Sequence, residues 1–389
     1  MMQQHEPSRR AVLKRAGLAG AGLAIATRTG WSASLGWFAD EDEVVPFADI
    51  PDNFNPRRDG KLVRLDLREL HSFITPADEY FAVQHYNVPQ VDASQWKLET
   101  TGLVSRSGSL SLDELRRRRR VEKTLFFECS GNQARGMHSL MGNARWAGAS
   151  LRDVLQEAGP SADAREVIFW AADRGEEKIR DATYPMRFAR SMSLEDAMGA
   201  DAILAYEMNG EPLLAAHGFP VRLIVPGWYG IANVKWLERI ELSASRFMNR
   251  FMGRDYVTVM GRQVGDQIEY TETSVTRMRV KSVVARVTRS RMSGGTLKIF
   301  GAAWTEGTPL KVVEVQIDDR AWKPARLEPQ PNALAWTFWT VEMPALPPGP
   351  HTVVSRATDQ AGHVQPASLE FKKTYWEDNA QFRRTIMVS

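Results

Sequence analysis

The sequence of 389 residues contains a single cysteine, Cys129. One thiol excludes an intramolecular disulfide. It also excludes cysteine-ligated iron–sulfur clusters, cysteine zinc sites and a covalently attached c-type haem, each of which needs more sulfur ligands. Whatever electrons the protein handles must leave by another route. Net charge is nearly absent as well: 50 basic against 47 acidic side chains give +3, and a chain lacking residues 1–26 would carry 46 of each. That balance offers no clustered basic footprint for nucleic acid. The run of five arginines at 116–120 is the local exception. It reads as a solvated helix following the start Ser111-Leu112-Asp113-Glu114, or alternatively as a docking patch for an acidic electron-transfer partner.

No internal repeat or low-complexity tract follows the first thirty residues, and no apolar run reaches the length of a membrane span. The apolar stretch at 16–26 is short and rich in glycine and alanine, and it follows Ser8-Arg9-Arg10-Ala11-Val12-Leu13-Lys14. A charged segment, a short apolar segment and small residues near a cut make a signal-peptide layout. The pattern resembles the twin-arginine export signal, with Val12 in place of the usual phenylalanine, so a signal at 1–26 and a periplasmic destination are expected.

At this length and 43% hydrophobic content, two cores are expected rather than one. Between about 60 and 264 the chain mixes strand patterns, at 98–104, 123–128, 167–171, 202–206 and 221–225, with an amphipathic helix at 150–158 whose Leu151, Val154 and Leu155 fall on one face. The mixture implies an α+β domain. Beyond Tyr256 short β-rich segments at 282–287, 296–301, 312–317, 335–341 and 351–358 alternate with turns such as Ser293-Gly294-Gly295 and Pro347-Pro348-Gly349-Pro350. Such spacing predicts an immunoglobulin-like sandwich over 265–389.

Two stretches carry chemistry. In Leu125-Phe126-Phe127-Glu128-Cys129-Ser130-Gly131-Asn132-Gln133 an apolar strand runs into a glycine turn, placing the thiol where a rigid element ends. A lone cysteine is ordinarily a small buried hydrophobe, but at a strand end it can also serve as a soft metal ligand. The second stretch runs from Tyr206 through His217-Gly218-Phe219-Pro220-Val221-Arg222 to Asn233-Val234-Lys235-Trp236-Leu237. Taken singly, His217 could cap a turn and Lys235 could be solvated. Together a histidine, a guanidinium fork and an ammonium around one buried strand suit a phosphate.

These stretches, with Gly253-Arg254-Asp255-Tyr256, resemble the molybdenum-cofactor domain of the sulfite oxidase family, and the β-rich remainder resembles that family's immunoglobulin-like dimerisation domain. The likeness covers the chain from about Tyr80 onward. It implies a molybdenum–molybdopterin cofactor with Cys129 as the protein's metal ligand. His85, Asp173, His217, Arg222, Asn233, Val234 and Lys235 would hold the pterin and its phosphate. Tyr256 would donate a hydrogen bond to a substrate or product oxygen, and Trp146 would wall the pocket. Oxygen-atom transfer to sulfite or another reduced sulfur species, such as sulfane sulfur, is the implied reaction, with a separate c-type cytochrome taking the electrons. A homodimer or a heterodimer with a haem subunit is implied as the assembly. Three departures bear on substrate: Val83, Ala134 and Thr374 stand where the family's sulfite-binding arginines would be, with Arg135, Lys372 and Lys373 nearby. Two other classes are open at this point, a molybdopterin-dependent sulfoxide reductase and a secreted binding protein without an enzyme's activity.

Overall fold

The computed structural model describes residues 42–389 apart from 53, 57–61 and 292–293, so the expected signal at 1–26 lies outside the described residues. Among the described residues no helix is long and apolar enough to cross a membrane.

The first half is built on two five-stranded sheets. One carries Arg120–Glu128 paired with Met141–Ser150, then Ile203–Met208, which pairs with both Glu211–Pro212 and Arg222–Ile224. The other orders Gly108–Ser111, Lys97–Gly102, Leu237–Ser243, Glu166–Ile179 and Ala182–Ser193, and its one parallel pairing joins Arg239–Leu242 to Glu99–Gly102. Helices are few and short. The sequence implied an α+β mixture; strand dominates it, and Glu166–Ile179 extends well past its apolar start at 167–171, through charged residues that the neighbouring strand Ala182–Ser193 pairs. Periodicity within that tail is weak, so its strand character comes from pairing rather than from burial.

The helix expected at 150–158 forms as Leu151–Ala158. Ser150 caps its first turn by accepting from Asp153 N, and Gly159, at φ 67°, closes it in the left-handed region. The arginine run divides. Ser111 and Glu114 form a capping box on the short helix Leu112–Arg116, whereas Arg118 pairs with Glu157 and Arg120 with Glu122 and Glu207. Those ion pairs answer the local charge across elements.

In the second half, Lys281–Arg289, Leu297–Trp304 and Thr337–Met343 lie in one antiparallel sheet, and Leu310–Ile317, Gly349–Asp359 and Arg384–Val388 lie in another. Alternation explains the layering: Val313, Val315 and Ile317 are buried on one face of their strand. The side chains of the two sheets close a core around Val284, Val287, Ile299, Val315, Trp339, Val353 and Ile386. Sequence reading passed over the strand Arg384–Val388 and the long exposed hairpin Val257–Val264 with Gln267–Ser274, whose turn holds residue 265.

No gap separates the halves. Phe126 packs on Trp304 at 4.6 Å and on Trp336 at 5.6 Å between ring centroids. Beneath these rings, Lys281 Nζ meets Glu128 Oε2 at 3.0 Å, with both side chains buried, while Asn132 Nδ2 donates to the same oxygen at 2.9 Å and Trp304 Nε1 to Oε1 at 3.1 Å. Removing one member of a buried, hydrogen-bonded pair strands the other, which costs about 3–5 kcal/mol. Lys281→Met is therefore expected to lower unfolding stability by roughly that amount. The double variant Glu128→Gln/Lys281→Met should recover much of the loss, and urea denaturation of the three proteins checks both expectations.

Candidate active site

Cys129 follows directly on the strand Arg120–Glu128. Its N–H donates to Leu140 O at 2.9 Å and its carbonyl accepts from Asn132 N at 2.9 Å, so the loop is held on both sides of the thiol. Gly230 packs against it: a Cβ there would lie 3.3 Å from Glu128 O and 3.6 Å from Cys129 Cα. The thiol lines an internal cavity.

That cavity gathers nine of the ten expected site residues: His85, Cys129, Asp173, His217, Arg222, Asn233, Val234, Lys235 and Tyr256. Trp146 is the exception. It is fully buried and lies behind Phe127, with ring centroids 5.8 Å apart, and the Arg222 guanidinium sits over its ring at 5.0 Å. Phe127 is the aromatic wall instead; Trp146 backs it and carries the arginine.

The cationic end is preorganised by the backbone. Arg222 Nη1 donates to His217 O at 3.1 Å and Nη2 to Asn233 O at 2.9 Å, and Lys235 Nζ donates to Val83 O at 3.0 Å and Ala216 O at 2.9 Å. Arg222 is buried and Lys235 partly so, and no ion pair involves either among the described residues. Burial, followed by the nearby Arg222, brings the Lys235 ammonium down to about 7. Asn233 serves the loop: its amide oxygen accepts from Val225 N and its nitrogen donates to Tyr229 O. His217 Nε2 bonds Ala77 O at 2.7 Å, and burial holds its imidazole down at about 4.

At the other end, His85 Nε2 lies 2.5 Å from the Tyr256 hydroxyl. Burial draws His85 down to about 3 and pushes the phenol well up, so both groups are neutral at pH 7 and share one hydrogen bond. Tyr256 adopts φ 59°, a strained choice for a bulky side chain, directly after the π-helical turn Arg250–Arg254.

Several buried polar atoms lack partners here: Asp173 Oδ1, both amide atoms of Gln84, and Arg222 Nε. Burial, moderated by Lys235, raises the Asp173 carboxyl to about 7. Gln84 was missed by sequence reading, though it adjoins His85; nothing in its neighbourhood marked it. Unmet donors and acceptors in one cavity suit a heterocycle rich in N–H and carbonyl groups, and two uncompensated cations suit a phosphate. Among the described residues no group of three His, Cys, Asp or Glu could hold a metal. A metal at Cys129 must bring most of its ligands with it, and a dithiolene-bearing pterin does so. Burial pushes the thiol up to about 11, so metal binding must displace its proton. The residues fit the group.

Fold and cavity thus define a molybdopterin-dependent oxidoreductase. Residues 85–251 match the family described as an oxidoreductase molybdopterin binding domain, and residues 272–389 match the Mo-co oxidoreductase dimerisation domain. Sulfite oxidase of Gallus gallus is 34% identical over 323 residues, covering 76% of this chain and 69% of its own length, and mitochondrial sulfite oxidase of Homo sapiens is 31% identical over 86% and 67%. The NADH nitrate reductase of Hordeum vulgare is 29% identical over 82% of this chain and 39% of its own. The crystal structure of the sulfane dehydrogenase SoxCD from Paracoccus pantotrophus superposes with a TM-score of 0.72 at 22% identity, covering 92% of this chain and 94% of that one. The chain belongs to the sulfite oxidase family, and its cofactor is molybdenum–molybdopterin. That membership removes the non-enzymatic binding protein as a reading.

The buried histidines set a pH response. The folded His217 takes its proton only near pH 4, whereas an unfolded histidine takes one near 6.5, so the unfolded state binds more protons between those values and stability falls as pH drops through them. At pH 5 the difference is about 2 kcal/mol. In denaturation midpoints of the cofactor-free protein, His217→Gln should lose less stability than the parent between pH 7 and 5, by about that amount.

Proposed function

We propose that this protein oxidises a reduced sulfur compound by oxygen-atom transfer, with sulfite and sulfane sulfur as candidate substrates. The observation that carries the reading is the single cavity lined together by Cys129, the Tyr256–His85 pair, Arg222 and Lys235. The cofactor supplies the two-electron oxidation and the oxygen transfer when bound. Arg222 and Lys235 would hold its phosphate, and Asp173 and Gln84 would pair with the pterin. Cys129 would give its thiolate to the metal. Tyr256, oriented by His85, presents its phenolic oxygen to the reacting region while Phe81, Phe127 and Phe188 keep water away.

Electrons pass singly to a separate c-type cytochrome, the site of action is the periplasm after twin-arginine export, and a division near residue 265 separates a catalytic domain from an immunoglobulin-like one. The family match over 272–389 supports self-association through that second domain, as a homodimer or beside a haem subunit. Operating in reverse as a sulfoxide reductase is the second reading, since the same cavity serves either direction.

Elemental analysis should find about one molybdenum per chain, and Cys129→Ser should lose turnover while retaining the fold. Sulfite- and thiosulfate-dependent reduction of cytochrome c by the loaded protein tests the reaction, with sulfoxide reduction by a dithionite-reduced dye as the comparison. Loaded protein that oxidises no sulfur compound sinks the reading. Tyr256→Phe should lower kcat by about a hundredfold with little change in molybdenum content.

A further inference from the structure

The reacting end of the cavity is aromatic where an anion site needs cations. Val83 lines the cavity with an isopropyl group, its carbonyl accepting from Lys235 Nζ. Ala134 stands on an exposed turn away from the cavity lining, and Thr374 Oγ1 accepts from Val259 N at 3.2 Å. Two of their three charged neighbours lie elsewhere. Arg135 lines a separate outer cleft with Gly131 and Tyr375, and Lys373 lies over the Tyr270 ring of the exposed hairpin. Of the remaining guanidiniums nearby, Arg190 is turned to the carbonyls of Phe251 and Val275, Arg250 pairs with Asp255 and Arg254 with Glu177.

Trp376 covers Tyr256 instead, with ring centroids 4.2 Å apart, and Tyr375 packs on Trp376 at 4.1 Å. Sequence reading missed this pair. A Cβ on Gly131, two residues beyond the thiol, would lie 3.3 Å from the Trp376 ring, so the indole spans from Tyr256 to the Cys129 loop. The next residue fixes it there: Glu377 N donates to Ser130 O at 2.7 Å, and its buried carboxylate accepts from Thr258 Oγ1. Trp376 is thus a partition between the cationic outer cleft and the reaction cavity.

We propose that Trp376 determines specificity, and that the substrate is a neutral organic sulfur compound of the thioether class rather than a free sulfur oxyanion. The inference rests on the sulfur-oxidising reading of the site. A dianion entering this end would lose its water without gaining a guanidinium, whereas a divalent sulfur makes favourable contacts with aromatic rings. In the reaction the sulfur lone pair forms a new S–O bond to oxygen drawn from water. Two protons are released, and two electrons go to two equivalents of a one-electron acceptor, for which ferricyanide serves in the assay.

The test compares dimethyl sulfide with sulfite using molybdenum-loaded protein and ferricyanide, and separately titrates sulfate by calorimetry. The parent should favour dimethyl sulfide in kcat/KM by at least about tenfold and show no sulfate binding at millimolar concentration. Trp376→Arg should move the preference toward sulfite by about tenfold or more and create sulfate binding. Val83→Arg, which puts a guanidinium on the cavity lining itself, tests the same point if the first variant fails to load. A parent that prefers sulfite, or that binds sulfate as tightly as either variant, overturns the inference while leaving sulfur oxidation standing. Absence of turnover with every sulfur compound overturns sulfur oxidation and this inference with it.

Discussion

The contact between Glu128 and Lys281 ties the chemistry to the fold. Glu128 is the last residue of its strand and the neighbour of the cysteine, while Lys281 opens the first long strand of the second half. Both charges are buried, so neither can be satisfied by water; each is held by the other and by Asn132 and Trp304. The thiol's loop consequently takes its position from residues more than 150 places away in sequence. Had the halves been able to move apart, a carboxylate and an ammonium would have been left bare in an apolar interior, which is why the junction behaves as core.

The same economy of charge shapes the cavity. Its cationic end consists of Arg222 and Lys235 oriented by backbone carbonyls, so these side chains keep their geometry without a carboxylate neutralising them. Their buried positive charge is suited to an anion supplied from outside. The reacting end has the opposite character: His85 is packed against Phe188 and Phe251, and Tyr256 lies under Trp376. A low dielectric keeps the histidine and the phenol neutral.

Much of this was legible in the residues. The strand ahead of Cys129, the capped helix after Ser150 and the alternating strands of the second half are local patterns, and burial followed them. The phosphate-facing residues were legible because they cluster around one short strand, Arg222–Ile224. Trp146 was misplaced by one layer, since a sequence shows that an aromatic lies near a site but not which of two stacked rings faces it. Gln84, Trp376 and Tyr375 carried no pattern at all. They matter through what they oppose across the fold.

By itself, then, the sequence determined the kinds of chemistry open to this protein: one thiol, a phosphate-suited trio, and no means of building an iron–sulfur or covalent haem centre. It also determined the family, because long local motifs survive in linear order. Only the tertiary structure decided which groups share a cavity, which cations are already engaged, and what faces the reacting end. Those are questions of distance and of exclusion of water. They were settled by the segment 375–377 docking on the Cys129 loop, more than 240 residues away along the chain, where no local periodicity could signal it.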